Sequence, residues 1–205
     1  MRRSLVIVVV AGSLALAQSV VPVEKEPHHR VAFENTWVRV LDVGFPAGVA
    51  SLFHRHALNN VAIRIVGGTT RADPVGGEGR PQLVPTGRVV YYSASPPYEH
   101  RVVNVGPSAV RILDVELFGA TSAADSSVDD DLARHVVEVE NEHVRVTRVQ
   151  LGPGESLAAH THRRGWLAVV VAGRKPGEFA WHLPGSGLSV GQAAHPVDIV
   201  EIEPK

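Results

Sequence analysis

Residues 48–68 read GVASLFHRHALNNVAIRIVGG, and the fold turns on how that stretch is read. It is apolar and β-branched, it is bounded by glycines, and it carries His54 and His56 one residue apart. On a strand the side chains alternate faces, so residues i and i+2 point the same way. Two imidazoles side by side on the inner face of a sheet can share one metal ion. His100, further along the chain, is a candidate third nitrogen ligand.

The surroundings have the same β character. Of the 205 residues, 44% are hydrophobic and 20% charged, and glycine and proline together number 33 (19 + 14). Valine is plentiful and long amphipathic helical patterns are absent, which predicts an all-β chain. Strands are expected over 37–43, 60–66, 89–92 and 110–118. Turns are expected at 45–48, 67–68, 95–97 and 106–107, the rhythm of a small antiparallel barrel or double-sheet roll.

The beginning of the chain reads as an address. Arg2 and Arg3 precede an apolar run over residues 5–16, which is short for a membrane span. Ala15-Leu16-Ala17 then has the small-x-small form of a signal-peptidase site. Residues 1–17 are therefore expected to be a cleaved signal peptide. The mature protein would be periplasmic or secreted, with no stable membrane anchor. Its net charge goes from 20 − 21 = −1 to 18 − 21 = −3. No basic surplus remains to draw nucleic acid. The chain has no cysteine, so it has no disulfide, no thiol nucleophile and no thiolate ligand. Any metal must use nitrogen and oxygen.

The chain repeats itself. Residues 29–56, HRVAFENTWVRVLDVGFPAGVASLFHRH, align without a gap on residues 135–162, HVVEVENEHVRVTRVQLGPGESLAAHTH, and eleven of the 28 positions are identical. Both histidine pairs, Gly48 with Gly154, and Glu34-Asn35 with Glu140-Asn141 share the offset of 106. The ends match as well: residues 110–116, VRILDVE, stand against residues 197–203, VDIVEIE. A period of this length is far beyond a solenoid unit of about 20–50 residues, so it marks a duplicated domain. The expected division is a first barrel over 18–118, a polar linker over 119–131 and a second barrel over 132–205. The second copy is shorter, mostly opposite residues 69–87, which read as a long loop of the first copy near the pocket mouth.

With those spacings laid out, the chain resembles the cupin superfamily. The family's first motif, G-x5-H-x-H-x3-E-x6-G, matches Gly48, His54, His56 and Gly67, with Asn60 in place of the glutamate. Its second motif ends P-x-G-x2-H-x3-N, and His100 with Asn104 keeps the last part, whereas Pro97 replaces the glycine. The resemblance spans nearly all of the mature chain. It implies two tandem jelly-roll barrels, a bicupin, with a divalent metal held in the first barrel by His54, His56 and His100. Iron, zinc, manganese, nickel and copper all suit three nitrogen ligands. Asn60 would be a weak oxygen ligand or a partner for bound water.

In the second copy Gly154, His160, His162 and Gly173 keep the first motif, but Trp166 replaces the glutamate. Aligning Pro96 with Pro184 puts Leu188 at the His100 position. His160 and His162 thus read as a degenerate second site, with His182 and His195 out of register. His28 and His29 read as a solvated pair. His29 and His135 read as fold residues, as do the repeated Glu-Asn pairs. Tyr91, Tyr92 and Tyr98 read as packing at the core or the pocket rim.

Two functional classes follow from the resemblance. One is an enzyme, a metal-dependent dioxygenase, oxidase or isomerase acting on a small oxygen-rich molecule. The other is a non-catalytic bicupin that binds a metal or small ligand. No general acid or base is assignable from the sequence. The oligomeric state is open, and a homo-oligomer is compatible with the fold.

Overall fold

The strands follow one another with tight turns between them. The computed structural model describes residues 19–119 and 134–205. The expected signal peptide, and the expected linker apart from Gly119, lie outside the described residues. In the first repeat the strands are β1 (Val21–Pro22), β2 (His29–Glu34), β3 (Val38–Phe45), β4 (His54–His56), β5 (Asn60–Val66), β6 (Gly68–Pro74), β7 (Gln82–Val84), β8 (Val89–Tyr92), β9 (Tyr98–Asn104) and β10 (Val110–Leu117). In the second they are β11 (Val136–Glu140), β12 (Val144–Leu151), β13 (Leu157–Thr161), β14 (Trp166–Ala172), β15 (Phe179–His182), β16 (Gly187–Val190) and β17 (Val197–Pro204). Among the described residues no helix is long and apolar enough to cross a membrane.

The first repeat forms two five-stranded sheets, ordered β1-β4-β9-β6-β7 and β2-β3-β10-β5-β8. The second forms a five-stranded sheet, β11-β12-β17-β14-β15, faced by the pair β13-β16. Each repeat is a jelly-roll barrel. Three expected strands coincide with β5, β8 and β10 to within one residue, and the fourth, β3, runs two residues further than expected. Residues 69–87 are not one long loop. They build the hairpin of β6 and β7, in which Gly68 pairs with Val84 and Thr70 with Gln82.

The repeated residues have local work to do. Asn35 Oδ1 accepts the N–H of Trp37 and Val38 at 2.8 and 2.9 Å, and Asn141 Oδ1 accepts those of His143 and Val144 at 2.8 and 3.0 Å. This side-chain turn closes the β2–β3 and β11–β12 hairpins. Gly48 and Gly154 sit at φ +75° and +83°, the left-handed region that a side chain disfavours. Asn104, fully buried, donates its amide to the carbonyls of Phe45, Pro46 and Ser108 at 2.9, 3.1 and 2.8 Å, and its Oδ1 accepts from Gly106 N–H at 3.0 Å. The asparagine that ends the second motif is therefore a brace for two loops.

The barrels share a core. Val61, Ile63 and Ile65 of β5 and Leu113, Val115 and Leu117 of β10 pack in one apolar cluster with Leu167, Val169 and Val171 of β14 and Val200 and Ile202 of β17. Trp37 stacks on Trp181 across the join, with ring centroids 5.5 Å apart. Alternation along β5 and β10 then decides the other face. Asn60, Ala62 and Arg64, with Ile112 and Asp114, look into the first barrel and line its pocket. Each buried Val, Leu or Ile of the shared core contributes about 1.5–3 kcal/mol by leaving water.

Candidate metal centres

The first centre is assembled from three strands. His54 and His56 are the ends of β4, both buried and on one face, with Arg55 between them exposed. His100 of β9 stands directly opposite His54 in the sheet, and Tyr98 stands opposite His56. The ring centroids of His100 lie 4.7 Å from His54 and 5.2 Å from His56. The fourth ring, His29, comes from β2 of the facing sheet, with its centroid 4.4 Å from His54. One ring nitrogen from each of His29, His54 and His56 lies within 4.8 Å of the others. His29 is thus a buried member of the cluster, not the solvated surface residue expected from the sequence.

Neighbouring groups set the ring orientations. His54 Nδ1 lies 3.0 Å from the Leu52 carbonyl, which makes Nδ1 the donor and leaves Nε2 buried without a hydrogen-bond partner. His29 Nδ1 lies 2.5 Å from Glu26 Oε2. Glu26 also accepts the N–H of His28 and Leu52, at 2.8 and 3.0 Å. A carboxylate behind a histidine fixes its ring and raises its basicity as a ligand. Burial, joined by the nearby His29 and His100, pushes His54 down to about 3. Burial and the other three rings push His56 down to about 2, and burial with His29 pushes His100 down to about 4. These rings are neutral at physiological pH, the form that coordinates metal.

Asn60 occupies the place of the family's glutamate, but it is tied to protein groups. Its amide donates to Asp114 Oδ1 at 2.5 Å, and its Oδ1 accepts the Tyr98 hydroxyl at 2.9 Å. Asp114 Oδ2 is 3.8 Å from His56 Nδ1. Burial raises Asp114 to about 7 against the hydrogen bond from Asn60. Burial and the neighbouring Asp114 raise Glu116 to about 7 as well, although Arg39 opposes this from 2.9 Å. A titratable carboxyl, Asp114, therefore stands beside His56, where the sequence offers no assignable acid or base. The cavity in front of the cluster measures ≈ 490 Å³ and is lined by His29, His56 and His100 together with Tyr92, Tyr98 and the β6–β7 hairpin. Tyr91 faces the second barrel instead, packed on the shared core.

The second barrel repeats the construction with a different set of atoms. His160 lies on β13 and His162 directly follows its last residue, and Leu188 stands opposite His160, where His100 stands opposite His54 in the first barrel. The histidine missing there is replaced by His135, at the start of the repeat, whose ring centroid is 4.6 Å from that of His160. Glu201 of β17 completes the group. Its carboxylate oxygens lie 3.0 Å from Nε2 of each of His135, His160 and His162. These four groups present ligand atoms within 4.8 Å of one another. Spacing alone marks His160 and His162 here, and the structure adds His135 and Glu201 to the cluster. Burial would raise Glu201, but the hydrogen bonds from the three histidines outweigh it and hold the carboxyl far below its ordinary range. His162, despite burial, is lifted to about 9 by Glu201 and Glu203.

The surroundings of the two centres differ. Trp166, fully buried at the position equivalent to Asn60, lies 4.3 Å from the His162 ring and is backed by His182 at 4.2 Å. His182 is a stacking partner of that tryptophan, and His195 is exposed. The sequence carried two signals for the extra ligands: His29 and His135 open the repeat together, and Asp114 aligns with Glu201 inside otherwise apolar strands.

Two jelly-roll barrels in one chain, each with inward-facing histidines on the strand before the core sheet, define the class: the fold is that of the cupins. Solved structures agree on this. The chain superposes on a cupin 2 conserved barrel domain protein from Leptotrichia buccalis with a TM-score of 0.53 at 12% identity, covering 84% of this chain and 86% of that one. YhhW from Escherichia coli gives a TM-score of 0.58 at 14% identity, covering 85% and 88%. A single-residue variant of oxalate decarboxylase from Bacillus subtilis gives 0.56 at 12% identity, covering 82% of this chain and 69% of that one. No family model matches the sequence, and no curated protein matches it.

Proposed function

We propose that this protein is an exported two-barrel cupin whose first barrel binds a divalent metal through His54, His56 and His100, with His29 as a further ligand, and acts on a small molecule in the manner of a dioxygenase. The observation that carries the proposal is His54. Its Nδ1 is committed to a backbone carbonyl, and its bare Nε2 is buried among three other imidazoles with no partner. An orphaned buried nitrogen costs about 1–3 kcal/mol unless something occupies its lone pair. A metal ion does so, and imidazole nitrogens suit iron, zinc, manganese, nickel or copper. Such an ion supplies a Lewis acid for an oxygen-bearing substrate and, where redox-active, an electron source. The chain's own residues form the rest of the site. Glu26 holds the His29 ring, and Tyr98 and Asp114 hold Asn60.

The second centre supports a non-catalytic role. His135, His160, His162 and Glu201 present three nitrogens and a carboxylate within 4.8 Å of one another, a donor set that suits zinc once the hydrogen-bonding protons leave. With Trp166 against the cluster, that barrel fits a closed, structural metal.

The test is elemental analysis of protein purified without chelator, beside the His54→Ala/His56→Ala and His160→Ala/His162→Ala double variants. Two metals per chain are expected, and each double variant should lose one. A redox metal in the first barrel directs the search to oxygen-uptake assays, whereas zinc there directs it to hydrolytic or isomerase chemistry. Absence of metal from the native chain, even after reconstitution, would refute the proposal. Export is tested separately by the N-terminal sequence of the secreted or periplasmic protein, which should begin at Gln18.

A further inference from the structure

The first-barrel pocket holds a charge that the histidine cluster does not explain. Arg64 lies on β5, two residues beyond Ala62 and four beyond Asn60, on the strand face that lines the cavity. Its Nη2 donates to Thr70 Oγ1 at 3.0 Å, whereas its Nη1 is buried with no hydrogen-bond partner. Among the described residues no carboxylate forms an ion pair with it. Burial pulls this guanidinium below its ordinary range, and only the nearby Tyr92 hydroxyl opposes that. A half-buried arginine without a counter-ion is costly, and a bidentate carboxylate is the group its planar fork fits best.

The rest of the cavity has the same bias. Arg80 and Arg88 also line it, and among the described residues Asp114, beside the histidines, is the one acidic residue on its wall. Between the two ends the walls are apolar, with Ala62, Val90, Val102 and Ile112 facing the space. Arg80 belongs to the chain between β6 and β7, a segment the second repeat lacks. Asp73 anchors that segment by accepting from Arg71, Arg101 and the Gly79 N–H, at 2.7, 3.0 and 3.0 Å. Arg64 lies four residue steps along β5 from Asn60, about 13 Å between their Cα atoms. A ligand pinned at Arg64 extends along the cavity that His56 and His100 also line.

We propose that the pocket binds a small organic acid with an apolar or aromatic body, its carboxylate paired with Arg64 and its far end directed at the His54, His56 and His100 centre. The inference names the ligand class of the site proposed above and rests on that reading. Tyr92 and Tyr98, with ring centroids 6.2 Å apart, offer aromatic faces for the body of the ligand. Arg64 acts as the specificity determinant, setting which end of the ligand faces the histidines.

The experiment is isothermal titration of the full mature chain with benzoate, phenylacetate and hydrocinnamate, each beside its neutral primary amide. The native protein should bind at least one acid about ten-fold tighter than its amide. Arg64→Gln should abolish that preference, and Arg64→Lys should restore part of it, with far-UV circular dichroism showing the variants folded. The His54→Ala/His56→Ala variant should keep the preference, and elemental analysis of the same samples reports separately whether the metal reading stands. Acid and amide binding alike, or no acid in the series binding, would overturn the proposal. So would a preference that survives in Arg64→Gln and vanishes in the double histidine variant, because the carboxylate would then be held at the histidine centre. If Arg64→Gln does not fold, the acid–amide comparison on the native chain and Arg64→Lys decides.

Discussion

Replacing Ile63 by alanine tests whether the two barrels are one energetic unit. Ile63 has no exposed surface and lies on β5, opposite Leu113 of β10, in the cluster that includes Leu167, Val169 and Val200 of the second barrel. The change removes buried carbons from a core that sheets on both sides hold in place, so the cavity cannot collapse easily. Isoleucine-to-alanine changes at such sites cost about 2–5 kcal/mol. A loss of about 3 kcal/mol lowers the melting temperature by about 6–12 °C for a chain of this size. Ala62 and Arg64 on the pocket face are untouched, so the metal content should equal that of the native protein. Differential scanning calorimetry reads the outcome, and the variant should melt in one transition shifted as a whole. Two transitions, one of them at the native temperature, would refute the shared-core argument.

Three further outcomes follow. Asn104→Ala should destabilise the protein by several kcal/mol in chemical denaturation, because three carbonyls and the Gly106 N–H lose their partner; a loss within the range of a surface substitution would contradict the bracing role. Tyr98→Phe should cost about 1–3 kcal/mol by stranding the buried Asn60 carbonyl while leaving the metal content unchanged, and a loss of metal would place the hydroxyl in the ligand set. Asp73 has its acidity set by burial, which raises its pKa, and by the stronger opposing bonds from Arg71, Gly79 and Arg101, which bring it down to about 2 from 3.8. Its stabilisation is complete above the unfolded value and is lost as pH falls through the folded one. The stability gap between native protein and Asp73→Asn should therefore be constant at neutral pH and close below pH 3.8 towards 2, and a gap unchanged across that window would remove Asp73 as the source.

The all-β class, the duplication and the pairing of His54 with His56 were all legible in the linear pattern, for a common reason. Strand alternation, turn glycines and short-range spacing are local properties. Gly48 and Gly154 announce their turns because few other residues tolerate a positive φ. Asn35 and Asn141 repeat because each closes its own hairpin within three residues. The β6–β7 hairpin was missed because its turn formers outweigh its short strands in composition, and the pairing of Gly68 with Val84 supplies what propensity does not.

The make-up of the two histidine clusters depended on contacts that no spacing encodes. His29 reaches the first centre because its sheet folds over the one carrying His54, and His135 does the same for His160. Glu201 joins the second cluster from the far end of the chain, and Asp114 takes the corresponding place beside Asn60. Sequence by itself determined the strands, the repeat and the histidines that neighbour each other along the chain. Only the closed barrels decided which distant side chains meet and which polar atoms are left bare, because closure sets the separation of residues on different strands and burial turns a missing partner into a cost.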